Sequence, residues 1–154
     1  MESIIKPNYS IFFGNNGYIK LLELINENNY DKILILSDSN TVKYCLPILN
    51  DQLFSVDSKS KIKIENKIFS YTVSSGELSK NLNESKKICE FLISKGFKRN
   101  SLIINLGGGM ISDLGGFVSS IYLRGIDFVN IPTSLLGMVD ASIGGKTGID
   151  LNDL

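Results

Sequence analysis

The sequence predicts an α/β fold, a Rossmann-like and mostly parallel sheet flanked by helices. Two short apolar runs, KILIL at 32–36 and SLIINL at 101–106, have the length of strands that are buried on both faces. Segments with the helical spacing of apolar residues lie between the strands. The second run leads directly into three glycines and a further helix. Strands that alternate with helices in this way are typical of a parallel sheet.

The composition excludes several classes of protein. The 154 residues are about the size of one domain, with 43% hydrophobic residues, 21% charged residues and no net charge. Interleaved lysines and acids indicate a solvated surface rather than one that binds nucleic acid. No apolar run reaches the roughly 18 residues of a membrane span, and residues 1–7 lack the features of a signal peptide, so we expect a cytoplasmic protein.

Histidine is absent from the sequence, which contains only two cysteines. Cys45 and Cys89 are too far apart for a CxxC metal site, and we expect both to be buried in the core. Without histidine, a His-dependent triad and a His-ligated metal are impossible within these residues.

Most of the predicted scaffold lies in residues 1–100. Apolar spacing predicts a first helix through Tyr18, Leu21, Leu22 and Ile25. The strand at 32–36 then runs into the polar turn SDSN. A second helix is expected from the spacing of apolar residues at 42, 45, 46, 49 and 53, and Pro47 should kink it because proline lacks a backbone donor.

The remaining elements follow in order. Residues 55–61 are predicted as a loop, and the alternation over 61–73 predicts one or two strands, with an edge hairpin as one arrangement. A third helix is expected from Leu78 to Lys95, stopped by Gly96, with its inward side chains at 78, 82, 89 and 92. A last strand is predicted at 126–131, closed by Pro132.

Residues 101–154 have the composition of a binding site, with ten of the 14 glycines and only seven of the 32 charges. A parallel sheet binds its ligands outside the carboxyl ends of its strands, where we expect four segments. The first is GGGMISD at 107–113, in which bare backbone and a helix N-terminus could receive a phosphate. The others are SDSN at 37–40, SGELSK at 75–80 and the stretch 122–148, which contains Arg124, Asp140 and Lys146.

Each segment also has an ordinary structural explanation. Three glycines can form a tight turn, and Asp, Ser and Asn are favoured at helix N-caps in any protein. The charges of the last segment could form structural salt bridges. Local spacing alone leaves both explanations open.

Two familiar nucleotide motifs are not fulfilled. The dinucleotide fingerprint G-x-G-x-x-G needs glycine at the position of Ser112, and the acidic residue expected about 20 residues later is missing. A P-loop ending in GGKT would need glycine at Asp140, whose carboxylate would repel phosphate oxygens. An ordinary Rossmann site and an NTPase are therefore disfavoured.

The two runs GGGMISDLGGF and YLRGIDFVNIPTSLLGMVDASIGGKTGID closely resemble the NAD-binding half of the 3-dehydroquinate synthase family, in the sugar-phosphate cyclase superfamily. Upstream, SDSN, YCLP and SGELSK stand in the expected order. The resemblance is most specific over residues 102–150. It implies that residues 1–154 form an NAD-binding α/β domain and that a helical domain with the metal site follows it.

The resemblance also implies roles for individual residues. It assigns the adenosine part of NAD to Asp38, Asn40, Glu77 and Lys80, and it places Ser75 and Gly76 among the other cofactor-binding residues. It assigns the pyrophosphate to Gly107, Gly108 and Gly109, and the nicotinamide ribose to Asp113. Thr133 and Ser134 would line the cofactor, although the family usually has two threonines there. Arg124, Asp140 and Lys146 match positions that face the substrate, with Lys146 also near the cofactor.

The implied reaction converts 3-deoxy-D-arabino-heptulosonate 7-phosphate, a sugar acid phosphate, to 3-dehydroquinate and phosphate in the shikimate pathway. NAD would be reduced and then reoxidised within each turnover, and a divalent metal, zinc or cobalt, would be needed in the full-length enzyme. The family's metal ligands, one glutamate and two histidines, lie beyond this sequence, so we expect a fragment without activity of its own and a homodimer for the whole protein. Three alternatives remain: another cyclase such as 2-deoxy-scyllo-inosose synthase, a glycerol-dehydrogenase-like enzyme, and a standalone nucleotide-binding module.

Overall fold

A computed structural model describes residues 3–54 and 66–151 of the chain. Its strands and helices are, in chain order, β1 Ser3–Ile5, β2 Ser10–Phe12, α1 Asn15–Asn28, β3 Ile33–Asp38, α2 Thr41–Tyr44, α3 Leu46–Phe54, β4 Ile68–Val73, α4 Leu82–Ser94, β5 Leu102–Gly107, α5 Gly109–Ile121 and β6 Asp127–Pro132. Short 3₁₀ turns span Glu77–Ser79 and Tyr122–Arg124, and a π-helical turn spans Gly137–Ala141.

Four strands form a parallel sheet in the order β4-β3-β5-β6. From β3 the chain first moves outward to β4, then crosses back to β5 on the other side and continues to β6. The direction of winding therefore reverses between β3 and β5, and the carboxyl ends of these two strands border the crevice where such sheets bind ligands. The α/β class and the parallel sheet predicted from the sequence are confirmed.

The core lies on both faces of this sheet. All six residues of β3 and all six of β5 are buried, as the two apolar runs predict. On one face Leu34, Leu36 and Ile103 pack against α4 and α5. On the other face Ile33, Ile35 and Ile104 pack against α1 and α3. Side chains that alternate along a strand point to opposite faces, so each strand serves both layers.

The first two predicted helices form with the expected inner faces. In α1, Leu21 and Ile25 are buried. The second helix is divided into α2 and α3 at Cys45, and Pro47 lies in the first turn of α3, where a missing backbone donor is tolerated. The expected interruption is therefore confirmed.

The third helix begins later than predicted. Leu78 is 93% exposed in a 3₁₀ turn and Leu82 is 54% exposed, so the expectation that both point inward is wrong. Asn81 starts α4 because its Oδ1 accepts a hydrogen bond from the backbone N–H of Glu84. The buried face consists of Ser85, Ile88 and Leu92. Gly96, with φ +68°, ends the helix as expected.

Other parts of the fold differ from the predictions or lie outside them. The antiparallel hairpin β1-β2 was not predicted, because its strands have only three residues each. The alternation over 61–73 predicted one or two strands, and in its described part, residues 66–73, the structure has one, β4, an edge strand parallel to β3. The predicted loop at 55–61 and the apolar positions 62 and 64 fall outside the described residues. Cys45 and Cys89 are free and only partly buried, packed at the margins of the two cores.

Candidate functional site at the carboxyl edge of the sheet

Two predicted segments meet at the ends of β3 and β4. Asp38, the last residue of β3, is almost completely buried. Its Oδ1 accepts hydrogen bonds from the backbone N–H groups of Asn40 (2.8 Å) and Thr41 (3.0 Å), so the ordinary capping role is real. Ser39 Oγ accepts a bond from Ser75 N, which ties the two loops together. Asn40 and Gly76 are exposed beside them.

The glycine turn connects β5 to α5. Gly108 is the N-cap of α5, and within the described part of the chain this helix start has no side-chain cap. By contrast, α4 is capped by Asn81. The N–H groups at the start of α5 are therefore available to an anion, and the helix dipole favours negative charge there.

Close packing explains much of the glycine content of this turn. A Cβ added to Gly107 would lie 2.5 Å from Ile111, inside the body of α5. A Cβ on Gly108 would lie 3.1 Å from Ser134 Oγ, and one on Gly109 would lie 3.2 Å from Ala141. The last two glycines thus allow the segment after β6 to approach the turn.

The segment after β6 packs over the glycine turn. Thr133 N donates to Gly107 O at 2.9 Å, and Ser134 Oγ accepts a bond from Gly137 N at 3.2 Å. Gly137 begins the π-helical turn, which ends at Ala141. Turns of this kind occur frequently at functional sites.

A cleft of about 250 Å³ opens beside this segment. Its lining is Asp113, Asp140, Ala141, Lys146, Thr147 and Gly148. Lys146 and Asp140 form an ion pair at its mouth, and both side chains are more than half exposed. Residues 142–150 form the Lys146 loop. It turns through Gly144 (φ +80°) and Gly145 (φ +70°), a conformation that residues with a Cβ rarely adopt.

Lys80 is the most connected charge in the site. It pairs with Glu77, with Asp150 at 3.4 Å and with Asp113 at 3.7 Å, and only 17% of its side chain is exposed. The hydrogen bond to Glu77, followed by the attraction of Glu77 and Asp150, raises the pKa of Lys80 against the opposing effect of burial. The ammonium group therefore remains charged among these three carboxylates.

Asp113 lies in the second turn of α5, with 25% of its side chain exposed. Burial raises the pKa of Asp113, and Glu77 raises it further, while Lys80 and Lys146 lower it. The carboxylate is thus held in a partly desolvated position where it can accept hydrogen bonds from a ligand.

The structure gathers nearly all of the predicted residues at this edge. The end of β3, the loop after β4, the glycine turn, the segment after β6 and the Lys146 loop all contribute. Arg124 does not join them, and the expectation that it lies at the carboxyl ends of the strands is wrong. Helix α5 runs antiparallel to the strands, so the turn that follows it returns to the opposite edge, before β6 begins. Arg124 is exposed there, and among residues 3–54 and 66–151 no ion pair involves it.

Ser112 and Ser142, which lie within the predicted segments, and Asp150, which lies outside them, were not singled out from the sequence. The buried Ser112 Oγ lies 3.0 Å from Ser142 Oγ, which joins α5 to the segment after the π-helical turn. Asp150 pairs with Lys80 and extends the site to the far end of the Lys146 loop. A local pattern cannot reveal such contacts, since Asp150 lies 70 positions from Lys80 in the chain.

The described residues do not form a metal centre. In the described part of the chain, no cluster of three His, Cys, Asp or Glu side chains could hold an ion, and the sequence has no histidine. None of the helices in residues 3–54 and 66–151 has the length and apolar character needed to cross a membrane.

Two curated proteins of similar sequence are both named 3-dehydroquinate synthase. The chain is 42% identical to 3-dehydroquinate synthase of Helicobacter pylori over 97% of this chain and 40% of that protein. It is 39% identical to 3-dehydroquinate synthase of Parabacteroides distasonis, over 88% of this chain and 35% of that protein. The chain thus spans about two fifths of the length of these relatives.

Two solved structures have the same fold. One is 2-deoxy-scyllo-inosose synthase complexed with carbaglucose-6-phosphate, NAD⁺ and Co²⁺, with a TM-score of 0.77, 20% identity, and coverage of 94% of this chain and 37% of that chain. The other is 2-epi-5-epi-valiolone synthase from Streptomyces hygroscopicus with NAD⁺ and Zn²⁺ bound, with a TM-score of 0.65, 24% identity, and coverage of 86% and 35%.

The family model described as 3-dehydroquinate synthase N-terminal matches residues 70–154, which is more than half of the chain. These residues include the glycine turn, α5, β6 and the Lys146 loop. Together with the shared fold and the relatives named above, the match shows that this chain belongs to the 3-dehydroquinate synthase family.

Proposed function

We propose that the protein containing this chain is an NAD-dependent 3-dehydroquinate synthase, a phosphate lyase that converts 3-deoxy-D-arabino-heptulosonate 7-phosphate to 3-dehydroquinate and phosphate. The observation that carries the proposal is the family match over the residues that form the site. Relatives of that name at about 40% identity support it. Residues 1–154 would be the NAD-binding domain of this enzyme.

The crevice between β3 and β5 suits a dinucleotide. The uncapped start of α5 offers N–H groups and a positive dipole end to the diphosphate. Asp38, Asn40 and the Ser75–Lys80 loop lie on the β3 and β4 side, where the adenosine part would bind. Asp113 lies on the other side, where its carboxylate would accept a bond from the nicotinamide ribose, and Thr133 and Ser134 would line the space between them.

The cleft beside Lys146 suits the substrate. An ammonium group binds phosphate or carboxylate oxygens through charge-assisted hydrogen bonds. Lys146 would leave its ion pair with Asp140 and bind an anionic group of the sugar acid. The Asp140 carboxylate would then be free to accept a hydrogen bond from a substrate hydroxyl. The flanking glycines leave room for a ligand beside the ammonium. When bound, NAD supplies a hydride acceptor that can return the hydride within the same turnover.

The family resemblance supports a zinc or cobalt site in a part of the protein outside this chain, and no cluster that could hold an ion occurs among residues 3–54 and 66–151. Asp140 and Lys146 are proposed to contact the substrate and not the metal. For Arg124, the position at the opposite edge of the sheet does not support a contact within one copy of the chain. The family resemblance supports a homodimer for the whole protein, which sedimentation velocity would test, and the cytoplasmic location expected from the sequence stays a prediction.

Phosphate release by the full-length protein tests the function. The proposal expects release from 3-deoxy-D-arabino-heptulosonate 7-phosphate in the presence of NAD and a divalent metal, with no net formation of NADH. Residues 1–154 alone are expected to release none. Release from glucose 6-phosphate only would instead indicate a 2-deoxy-scyllo-inosose synthase. Stoichiometric reduction of NAD by a polyol would indicate a glycerol-dehydrogenase-like enzyme, and NAD binding without any turnover would indicate a nucleotide-binding module.

A further inference from the structure

We propose that Asp150 is a positioning residue of the cofactor site, which joins the Lys146 loop to the start of α4 and holds the Lys80 ammonium beside Asp113. The inference deepens the proposed function and rests on it, because the site that Asp150 orders is the proposed NAD site. Asp150 itself is not assigned a contact with the cofactor.

The backbone of Asp150 is fixed to the element opposite. Its N–H donates to Lys80 O at 2.8 Å, and Asp150 forms an isolated parallel bridge with Asn81 outside the main sheet. Asn81 is the N-cap of α4, and its Nδ2 also donates to Leu78 O at 2.6 Å. The Lys146 loop is therefore anchored to the ordered start of a helix.

The same loop is held along the rest of its length. At its beginning, Ser142 Oγ lies 3.0 Å from Ser112 Oγ on α5. In its middle, Thr147 packs so closely on α5 that a Cβ at Gly116 would lie 2.3 Å from it. Ile149 packs against the core. Asp150 supplies the last attachment, so Lys146 is carried on a loop whose two ends are both fixed.

The side chain of Asp150 acts on Lys80. Its carboxylate lies 3.4 Å from Lys80 Nζ and is less exposed than that of Glu77, with 39% of the Asp150 side chain exposed against 60% for Glu77. Without the Asp150 carboxylate, Lys80 would retain its pair with Glu77 and move toward that exposed partner. Asp113 would then lose part of the cation that offsets its burial.

A consequence for pH dependence follows from the charges around Asp113. The groups that face it are Lys80, Glu77 and Lys146, and Lys146 in turn pairs with Asp140. Burial raises the pKa of Asp113 and Lys80 lowers it, so a displaced Lys80 leaves the pKa higher. The ionised carboxylate is the form that accepts a hydrogen bond from a ribose hydroxyl. As the pH is lowered, NAD affinity would therefore begin to fall at a higher pH in a variant with a neutral residue at position 150.

The test uses the full-length protein and three variants, D150N, D150E and D51N. Asp150→Asn keeps the size and the backbone N–H of the residue but removes its charge, and D150E restores the charge. Asp51 on α3 is exposed and lies outside the site, so D51N is the matched control. NAD dissociation constants are measured by calorimetry at a series of pH values from neutral down toward about 4, the ordinary pKa of an aspartate side chain.

The expected result for D150N is NAD binding about fivefold weaker at neutral pH, the equivalent of one partly buried ion pair. The acidic limb of its affinity profile should also move to higher pH. D150E should recover part of both effects, and D51N should match the wild type. Wild-type affinity and an unmoved limb in D150N would overturn the inference even if its melting temperature falls, because only a structural role would remain. Absence of NAD binding by the wild type would instead overturn the proposed function.

Discussion

Lys146 and Asp140 form an ion pair at the mouth of the cleft, with 59% and 57% of their side chains exposed. A pair in so much water adds little to stability, because solvent screens the attraction and both side chains lose freedom. Lys146 is thus free to exchange its partner for an anionic ligand.

For Lys146→Ala in the full-length enzyme, we expect turnover to fall by orders of magnitude while unfolding free energy changes by less than about 0.5 kcal/mol. Steady-state phosphate release and thermal unfolding measure the two effects. Lys20→Ala is the matched control, because Lys20 and Glu23 also form an exposed pair, on α1 far from the cleft. A large loss of stability with near-normal turnover would show that the Lys146 pair is structural.

Asp113 provides a test of pH dependence at the same scale. Its pKa is raised in the folded state by burial, so its contribution to stability is fully present below the unfolded value of about 4 and is lost as the pH rises through the folded pKa. Asp113→Asn removes the buried charge. At neutral pH the variant should therefore melt at a higher temperature than the wild type, and the difference should shrink as the pH falls toward about 4.

The same Asp113→Asn variant should bind NAD more weakly. A gain in stability together with a loss of affinity is typical of a functional carboxylate. Calorimetry with NAD and melting curves at several pH values check both signs. A melting temperature that falls at neutral pH would mean that the pair with Lys80 outweighs burial.

Sequence patterns identified most charged residues of the site but not the connections among them. Lys80, Asp113 and Asp140 stood out as charges near glycines or strand ends. Their partners depend on which loops the sheet brings together, and spacing along the chain does not contain this information. Asp150 was missed for this reason, and the edge at which Arg124 lies depends on the antiparallel course of α5.

At the scale of elements, α5 packs unusually close to β5. Asn105 on β5 is completely buried, and a Cβ at Gly115 of α5 would lie 1.8 Å from its Oδ1. Asn105 Nδ2 donates to Asn130 Oδ1 at 2.9 Å, which joins β5 to β6, while its Oδ1 has no partner among the described residues. Gly115 is thus required by the volume of one neighbouring side chain.

Gly115→Ala should destabilise the protein by about 1–3 kcal/mol through overpacking, although alanine favours an ordinary helix. Asn105→Ala makes room for the new methyl group and removes the unsatisfied amide oxygen. The double variant N105A/G115A should therefore be more stable than G115A alone, with a clear coupling in a double-mutant cycle of chemical unfolding. Additive effects of the two substitutions would contradict the packing that the structure shows.

The start of α5 is tested by Gly108→Val. The side chain would emerge beside Ser134 where the diphosphate is proposed to bind, so NAD affinity should fall at least about tenfold, a loss of roughly 1.4 kcal/mol. Gly17→Ala is the control, since a Cβ there makes only ordinary contact, 3.5 Å from Phe12 O, in the first turn of α1. Unchanged NAD affinity in a folded Gly108→Val protein would leave the glycines a purely packing role.

Elements with long periodic patterns were predictable, and short ones were not. The strands β3 and β5 follow from continuous apolar runs, and α1 from its spacing. The start of α4 was misplaced because Leu78, four residues before Leu82, continues the helical apolar spacing beyond the cap at Asn81. The hairpin β1-β2 and the π-helical turn are too short for any periodicity, and their conformations depend on tertiary contacts.

At the scale of the whole molecule, the chain contributes one wall of the proposed active site. It spans about two fifths of its curated relatives, so the rest of each relative lies beyond the region matched here. The sheet brings the residues proposed to bind NAD to the crevice between β3 and β5. The metal centre is proposed for the remainder of the protein, and the reaction would require both parts.

The most direct test of the account is a crystal structure of the full-length protein soaked with NAD. We expect the diphosphate to lie against the first turn of α5 beside Gly108, with the adenosine toward the Ser75–Lys80 loop and the nicotinamide ribose beside Asp113. A dinucleotide bound at another edge of the sheet, or in the reverse direction across it, would contradict the proposed site.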